Sequence, residues 1–251
     1  GEQSSPTPHA FVALLALVGA GVAVVARPAA AAVDEDVMMT APVSPRLWNV
    51  ELRFGPYRPD VDGEFAARGQ SARPYEQIFS SSRHLMMQLE IDRQLSHRAG
   101  TWAAGVSLGY FNVTAAALSE DLQSRGGDQT GLRLIPLSAV AVYRADTLRE
   151  RWGSPLVPYV KAGLDCTLLR ISDTSQGNVN GRTLGWHAAA GVTLDLSPLD
   201  PEAATEMDRE SGVNQTALFF EVARYALDGF GSDSALHVGD TTWFAGLMLE
   251  L

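Results

Sequence analysis

The stretch TTWFAGLMLEL (Thr241–Leu251) decides the fold. Successive side chains of a β-strand point to opposite faces, so this stretch has two distinct rows. A strand with one apolar row and one row of small or charged residues is typical of a membrane β-barrel. The apolar row faces lipid, and the other row faces a narrow lumen. Being the last segment, it is expected to pair with the first strand and remove the free sheet edge. The apolar row is Trp243, Ala245, Leu247, Leu249 and Leu251; the other row is Phe244, Gly246, Met248 and Glu250.

The same period of two recurs seven times upstream, separated by turn-rich segments. The sequence therefore predicts an all-β fold: an eight-stranded antiparallel up-and-down transmembrane β-barrel with long external loops and one short periplasmic helix. The helix is expected within Pro198–Gly212, and loops are expected at Arg58–Ser82, Thr114–Asp128, Ser172–Gly181 and Asp228–Gly239. The seven strands are predicted at Leu47–Tyr57, His84–Leu95, Thr101–Val113, Gln129–Arg144, Leu156–Ile171, Arg182–Leu196 and Gln215–Leu227.

The fourth strand has two rows of similar polarity. Its odd-numbered row includes Arg133, so we place that row in the lumen and the row from Leu132 to Val142 against lipid. Pro136 lies in the second row and cannot donate a ladder hydrogen bond, so a bulge or a missing bond is expected there.

The inward rows carry a set of ionisable residues that we predict to form a lumen charge network. An eight-stranded barrel has an interior only wide enough for side chains, so we expect a plugged core of ion pairs, with a narrow path for protons, ions or small solutes as the alternative. Lys161 and Asp165 lie about 13 Å apart along one strand, so each is expected to find its partner on a neighbouring strand. The network comprises Glu51, Arg53, Glu90, Asp92, Arg133, Lys161, Asp165, His187, Asp195, Glu221 and Glu250.

A water-soluble, lipocalin-like barrel would show the same alternation with its faces exchanged. Water-facing surfaces are dense in charges, whereas these polar rows are mostly Gly, Ala, Ser and Thr, which favours a lumen. Four tryptophans on the apolar rows are expected to form a lipid-facing aromatic belt: Trp48, Trp102, Trp186 and Trp243.

Residues 1–32 contain the apolar run FVALLALVGAGVAVVA and a following small-residue site, which predicts a secretory signal peptide; a membrane anchor is the alternative. Residues 33–46 are then a periplasmic lead-in, and residues 47–251 are the barrel.

The composition excludes several function classes. A net charge of −10 without a basic stripe argues against a nucleic-acid partner. The single cysteine, Cys166, excludes an intrachain disulfide and a cysteine-based zinc site, and no metal or cofactor motif is present. The lone lumen histidine, His187, is interpreted as a hydrogen-bonded residue that packs in the interior rather than as a metal ligand or a general base.

One loop cluster contains residue types that a rim lipid-modifying enzyme would need, but the same types make ordinary turns. We therefore predict no enzyme and no catalytic residue. The cluster is Ser232, Asp233, Ser234, His237 and Asp240.

The ordered motifs WNVELRFGPYRPD, LMMQLEID, WAAGVSLGYF, LIPLSAVAVYR, VPYVKAGLD, WHAAAGVTLDL, ALFFEVARY and WFAGLMLEL resemble a family of small outer-membrane β-barrel proteins from myxobacteria. The resemblance covers Arg46–Leu251 and extends to the wider porin-like barrel domain. It implies the fold and the bacterial outer membrane as the location, and no assigned activity. The expected partners are outer-membrane lipid and the barrel insertion machinery, through the C-terminal strand; no protein partner is indicated. The expected role is structural or interactive, with a small porin-like channel as the alternative.

Overall fold

The computed structural model describes residues 47–118, 125–173, 177–232 and 235–251. The predicted signal peptide and lead-in lie outside the described residues. Eight strands form one closed barrel in which each strand pairs antiparallel with the next, as the sequence predicts. The strands are β1 (Trp48–Tyr57), β2 (His84–Ser96), β3 (Thr101–Leu118), β4 (Arg125–Arg144), β5 (Leu156–Asp173), β6 (Gly177–Asp195), β7 (Gln215–Ala226) and β8 (Asp240–Glu250).

The seam between β1 and β8 closes the ring. Their register runs from Asn49 opposite Glu250 to Phe54 opposite Ala245. Beyond β8, the carbonyl oxygen of Leu251 accepts hydrogen bonds from the backbone N–H groups of Leu47 and Trp48 at 2.8 and 2.9 Å. The predicted closing strand is therefore confirmed, and its backbone groups are paired with the first strand rather than left as an open edge.

The barrel has two different ends. We call the end that carries residues 47 and 251 the terminal end, and the opposite end, covered by residues 58–83, the lid end. Residues 58–83 are called the lid. The helices are α1 (Val61–Ala67) and α2 (Pro74–Phe79) in the lid, and α3 (Thr147–Trp152) and α4 (Pro201–Ser211) at the terminal end.

Helix α4 confirms the one predicted helix, and three further short α-helices among the described residues were missed; a 3-10 turn at Ser197–Leu199 precedes α4. Local capping explains two of them: Asp60 accepts from the Gly63 N–H at the start of α1, and α3 ends at Gly153 with φ 63°. Their short length leaves too little periodicity for a sequence pattern to reveal. No helix among the described residues combines the length and apolar character needed to cross a bilayer.

The outward row of most strands is apolar and exposed, whereas the inward row is buried and holds most of the ionisable side chains. Val106 and Leu164, for example, expose 62% and 64% of their surface on the outside, while Glu90 and Glu221 are 0% exposed inside. The distribution of polarity is thus the reverse of that in a soluble barrel.

Two hairpins extend further than the sequence predicted. Much of Thr114–Asp128 and Ser172–Gly181 was expected to be loop, but β3 continues to Leu118, β4 starts at Arg125, β5 reaches Asp173 and β6 starts at Gly177. Backbone pairing is independent of side-chain polarity, and apolar residues fill the interior at this level. Val113, Leu132 and Leu169 are all buried there.

The predicted orientation of β4 is wrong. Leu132, Leu134 and Ser138 are buried inside the barrel, whereas Arg133 is exposed on the outside. The cause is the height of Arg133 along the barrel: near the lid end the interior becomes apolar and the exterior polar, which inverts the pattern used to assign the faces.

Pro136 therefore points inward, not toward the outside as predicted. The β3–β4 register resumes unchanged on either side, from Leu108 opposite Leu137 to Phe111 opposite Leu134, so pairing is interrupted without a bulge. The inward-facing Gly109 leaves space for the ring, because a Cβ there would lie 2.6 Å from the Pro136 Cγ atom. The expectation of missing bonds at this proline is confirmed.

Candidate functional site

A buried ion-pair network occupies the barrel interior, and Arg53 lies at its centre. The Arg53 guanidinium donates to Glu90 at 2.6 Å and also to Glu221. Arg53, Glu90 and Glu221 come from β1, β2 and β7, and each side chain is at most 1% exposed. Phe244 packs under the guanidinium carbon with its ring centroid 5.1 Å away, a cation–π geometry.

Lys161 connects opposite walls of the barrel. It lies on β5, four strands from β1 in either direction around the ring. Its ammonium donates to Glu51 on β1 at 2.5 Å and to Glu90 on β2. The prediction that Lys161 pairs with a neighbouring strand is therefore wrong: the lumen is narrow enough for its side chain to cross the axis.

Two residues that the sequence analysis did not single out complete this layer. Arg144 on β4 donates to Glu51 at 3.3 Å, and the Tyr159 hydroxyl on β5 donates to Glu221 at 2.9 Å. Arg144 lies at the end of the β4 row that was assigned outward, so a correct orientation of β4 would have revealed it. Charge-assisted bonds of this kind are stronger than neutral ones when buried.

Asp165 organises a second cluster. It accepts from the Ser138 hydroxyl and lies 2.9 Å from Nδ1 of His187, on the two strands that flank β5. These are the residue types of a hydrolytic triad, but the serine contacts the carboxylate rather than the histidine, so the serine has no base. His187 and Asp165 are 2% and 3% exposed, which is consistent with a packing role.

Polar residues also close the terminal end. Gln94 donates to Glu250 at 2.8 Å and to Asn49 at 3.1 Å. Arg149, from α3, donates to Asp195 at 3.0 Å and so ties this helix to the end of β6. The predicted network residues Glu250 and Asp195 thus lie in a layer separate from the Arg53 and Lys161 ion pairs.

The lid closes the other end. Tyr75 and Phe79 of α2 are buried against barrel residues such as Phe111. Burial raises the pKa of the Tyr75 hydroxyl to about 12, although Arg58 opposes this shift, so the ring stays neutral at ordinary pH. Asp240, one of the loop residues considered for a rim enzyme, accepts from Arg83 at 2.6 Å and from the Arg58 backbone N–H at 3.0 Å. It therefore anchors the lid.

Asp92 is the exception within the network. It is fully buried, and neither carboxylate oxygen has a hydrogen-bond partner among the described residues. Carboxylate oxygens of Asp92, Glu51 and Glu90 lie within 4.8 Å of one another, a spacing compatible with a bound cation. Lys161 already contacts two of these carboxylates, so a metal ion would have to displace its ammonium.

An Asp92→Asn substitution tests whether the buried carboxyl group without a partner destabilises the barrel. Replacing a buried carboxyl group that has no described partner and lies beside Glu51 and Glu90 with an amide of the same shape is expected to raise the free energy of unfolding by about 1 kcal/mol. Urea titration of protein folded into lipid vesicles measures the change. Asp165→Asn is the matched control, since that carboxylate has two partners, and it should lower stability. A loss of stability in Asp92→Asn equal to that of the control contradicts the interpretation.

Ten of the eleven residues predicted for the lumen are buried inside the barrel, and Arg133 is outside. The four tryptophans predicted for a belt all lie on outward rows and are between 43 and 52% exposed. Trp48 is the first residue of β1 and Trp102 the second of β3, both at the terminal end. Trp243 lies near the lid end of β8, and Trp186 lies opposite the last residue of β7.

No protein-family model matches the sequence, and no curated protein does either. Several solved structures show a similar chain path at low identity. Neisserial surface protein A (NspA) is 11% identical, with 81% of this chain and 96% of that chain covered and a TM-score of 0.45. Ail, the attachment invasion locus protein of Yersinia pestis, is 11% identical, with 82% and 97% covered and a TM-score of 0.43. The N-terminal β-barrel domain of Pseudomonas aeruginosa OprF is 13% identical, with 81% and 97% covered and a TM-score of 0.37.

Proposed function

We propose that this chain is an outer-membrane β-barrel protein. The observation that carries the proposal is its inverted polarity. Large apolar side chains such as Leu85, Trp102 and Leu164 are 59%, 52% and 64% exposed on the outside, while the charged rows are buried inside. A continuous exposed apolar surface of this kind is unfavourable in water and favourable in a bilayer. A closed barrel also has no free sheet edge, as the hydrocarbon core requires.

We further propose that the lumen is plugged and does not conduct. The Lys161 bonds to Glu51 and Glu90 cross the barrel between opposite walls. The Arg53 and Glu221 pair adds a second buried link, which joins β1 to β7 past the intervening β8. Eight-stranded barrels have just enough interior for side chains, so these residues leave little space for a hydrated ion. The lid covers one end of the lumen, and Gln94, Glu250 and Asn49 form a hydrogen-bonded layer at the other.

A barrel with a plugged lumen is best suited to a structural or interaction role in the cell envelope. Under this proposal the lid faces the exterior and α3 and α4 face the periplasm, since the longest connection between strands, residues 58–83, lies at the lid end, and the longer loops of such barrels are external. Insertion through recognition of β8 by the assembly machinery, and the relation to myxobacterial barrels, belong to the same proposal. Asp240 of the loop cluster anchors the lid, and Ser138 donates to a carboxylate, which favours a structural role for both; Asp233 and Ser234 of the cluster lie outside the described residues.

Two measurements on the purified protein test these points. Folded outer-membrane barrels resist detergent, so unboiled protein is expected to migrate differently from boiled protein on a gel. In planar bilayers the wild type is expected to show no single-channel steps. Identical migration with and without boiling would contradict the proposal of a membrane β-barrel. Regular conductance steps would favour the alternative, a small channel for ions or solutes.

A further inference from the structure

The outward rows of the strands carry arginines but, among the described residues, no acidic side chain. Their described charged residues are Arg93, Arg133, Arg170, Arg182 and Arg224. A lipid-facing surface is normally free of charge, because a charged side chain near the bilayer centre costs about 2–4 kcal/mol. The positions of these arginines along the barrel therefore need an explanation.

Three of them form a compact group on neighbouring strands, which we call the arginine triad: Arg133, Arg170 and Arg182. Arg133 on β4 is directly opposite Arg170 on β5. Arg170 is opposite Asn180 on β6, so Arg182 is its diagonal neighbour. Side chains in these relations lie about 5 and 7–8 Å apart at Cβ, and like charges directly opposite each other are destabilising.

Nothing described on the protein compensates this charge. No ion pair joins a triad member to a described residue, and the one described contact is the stacking of Arg133 on Tyr110, with the guanidinium carbon 5.9 Å from the ring centroid. The two arginines outside the triad have no arginine opposite them, and each has a described contact of its own. Arg93 stacks on Trp48 near the terminal end, and Arg224 donates to the Thr241 hydroxyl at 2.7 Å. Three unpaired guanidinium groups on one outer surface therefore favour an anionic ligand.

The triad lies at a border in the outer surface. On its lid-end side the outward residues are polar, as at Gln129, Ser172 and Asn180. On its other side they are apolar: Ile135, Leu168 and Leu184. The interior changes at the same level, where Leu132, Leu134 and Leu169 replace the ion pairs. In a barrel that spans a membrane, this border corresponds to the level of the lipid headgroups.

We propose that the arginine triad binds the phosphate groups of lipids in the leaflet nearest the lid. This inference rests on the proposed membrane location and adds a ligand to it. Guanidinium groups pair with phosphate oxygens through two parallel hydrogen bonds, and several of them can share one doubly charged phosphomonoester. A lipid is favoured over free phosphate because its acyl chains would lie against the apolar rows directly below, at Leu168 and Leu184. Tyr110 suits the same interface, with an apolar ring and a polar hydroxyl.

The test uses the full chain folded into vesicles of phosphatidylcholine, with and without added diphosphorylated lipid A. Bound lipid A per protein is counted by native mass spectrometry after gentle extraction. The triple variant Arg133→Gln, Arg170→Gln, Arg182→Gln is expected to lose lipid A binding at least tenfold. The double variant Arg93→Gln, Arg224→Gln removes outward charge elsewhere and should bind as the wild type does. Inorganic phosphate added to the detergent-extracted protein should not compete at millimolar concentration.

Equal lipid A binding by the triple variant and the wild type would overturn the inference, as would an equal loss in the double variant. Displacement of lipid A by inorganic phosphate would show that the triad binds free anions, and it would overturn the inference that the ligand is a lipid. Folding is checked first through the gel shift between unboiled and boiled samples. Failure of the wild type to insert into vesicles would contradict the proposed membrane location. Insertion without a preference for lipid A would contradict only the inference that the triad binds lipid phosphates.

Discussion

Lys161→Met is expected to lower the free energy of unfolding by about 3–5 kcal/mol, because it breaks a buried ion pair and leaves the partner charges uncompensated. The ammonium contacts Glu51 and Glu90, and Glu221 lies 3.9 Å away. Without it, the carboxylates of Glu51, Glu90 and Glu221 keep Arg53 and Arg144 as their described cationic partners, and Asp92 has no described partner. Urea titration in lipid vesicles, followed by tryptophan fluorescence and by the fraction of unboiled folded band, measures the loss.

A charge-matched double variant separates electrostatics from packing. Lys161→Met combined with Glu90→Gln removes one positive and one negative charge, and Arg53 keeps Glu221 as a partner. The double variant should therefore recover a large part of the lost stability. If Lys161→Met costs less than about 1 kcal/mol, the network is solvated rather than buried, and the plugged lumen loses its main support.

Gly246→Val is the second change with a large expected effect, and it acts at the seam. Gly246 lies on β8 opposite Arg53 of β1, and a Cβ at this position would collide with the backbone carbonyl oxygen of Leu52 and come within 2.9 Å of the Phe219 ring. A backbone atom cannot move aside as a flexible side chain can. We expect a loss of about 3 kcal/mol and a lower yield of folded barrel.

Ala245→Val is the matched control for the seam. Ala245 adjoins Gly246 but points outward, where a larger apolar side chain meets no described interior group. Its stability and folding yield should stay within about 0.5 kcal/mol of the wild type. Equal effects of the two substitutions would show that the small residue is needed on both faces, and a harmless Gly246→Val would mean that β1 and β8 are further apart than described.

Several features could be predicted from the sequence because they follow from a period of two. The eight strands, their order and the closing role of the last one depend on local alternation, which each strand carries in its own residues. Alternation also placed Glu51, Arg53, Glu90 and Lys161 on inward rows. The pairing of these charges could not be predicted, since the Lys161 bond to Glu51 depends on β5 and β1 facing each other across a closed ring.

The error on β4 has a physical origin too. Assignment of a row to lipid or lumen assumes that polarity marks the same face along a whole strand. That assumption holds for β1, where Glu51 and Arg53 are both inside, and fails for β4, which extends past the apolar band and reverses its polarity at Arg133. Arg133, which lies beyond the apolar band, therefore led to the wrong assignment of the β4 rows, although Ser138 and Arg144 mark the other row as the inward one.

By itself, the sequence determined that this chain forms a ring of eight strands with an apolar outer surface, since side-chain alternation is a local property of each strand. Only the tertiary structure decided which charges meet in the lumen, that Asp92 has no described partner, and that Arg133, Arg170 and Arg182 share one patch of the outer wall. These facts depend on strand register, on the width of the closed barrel and on the height of each residue along it, none of which is written in the alternation of a single strand.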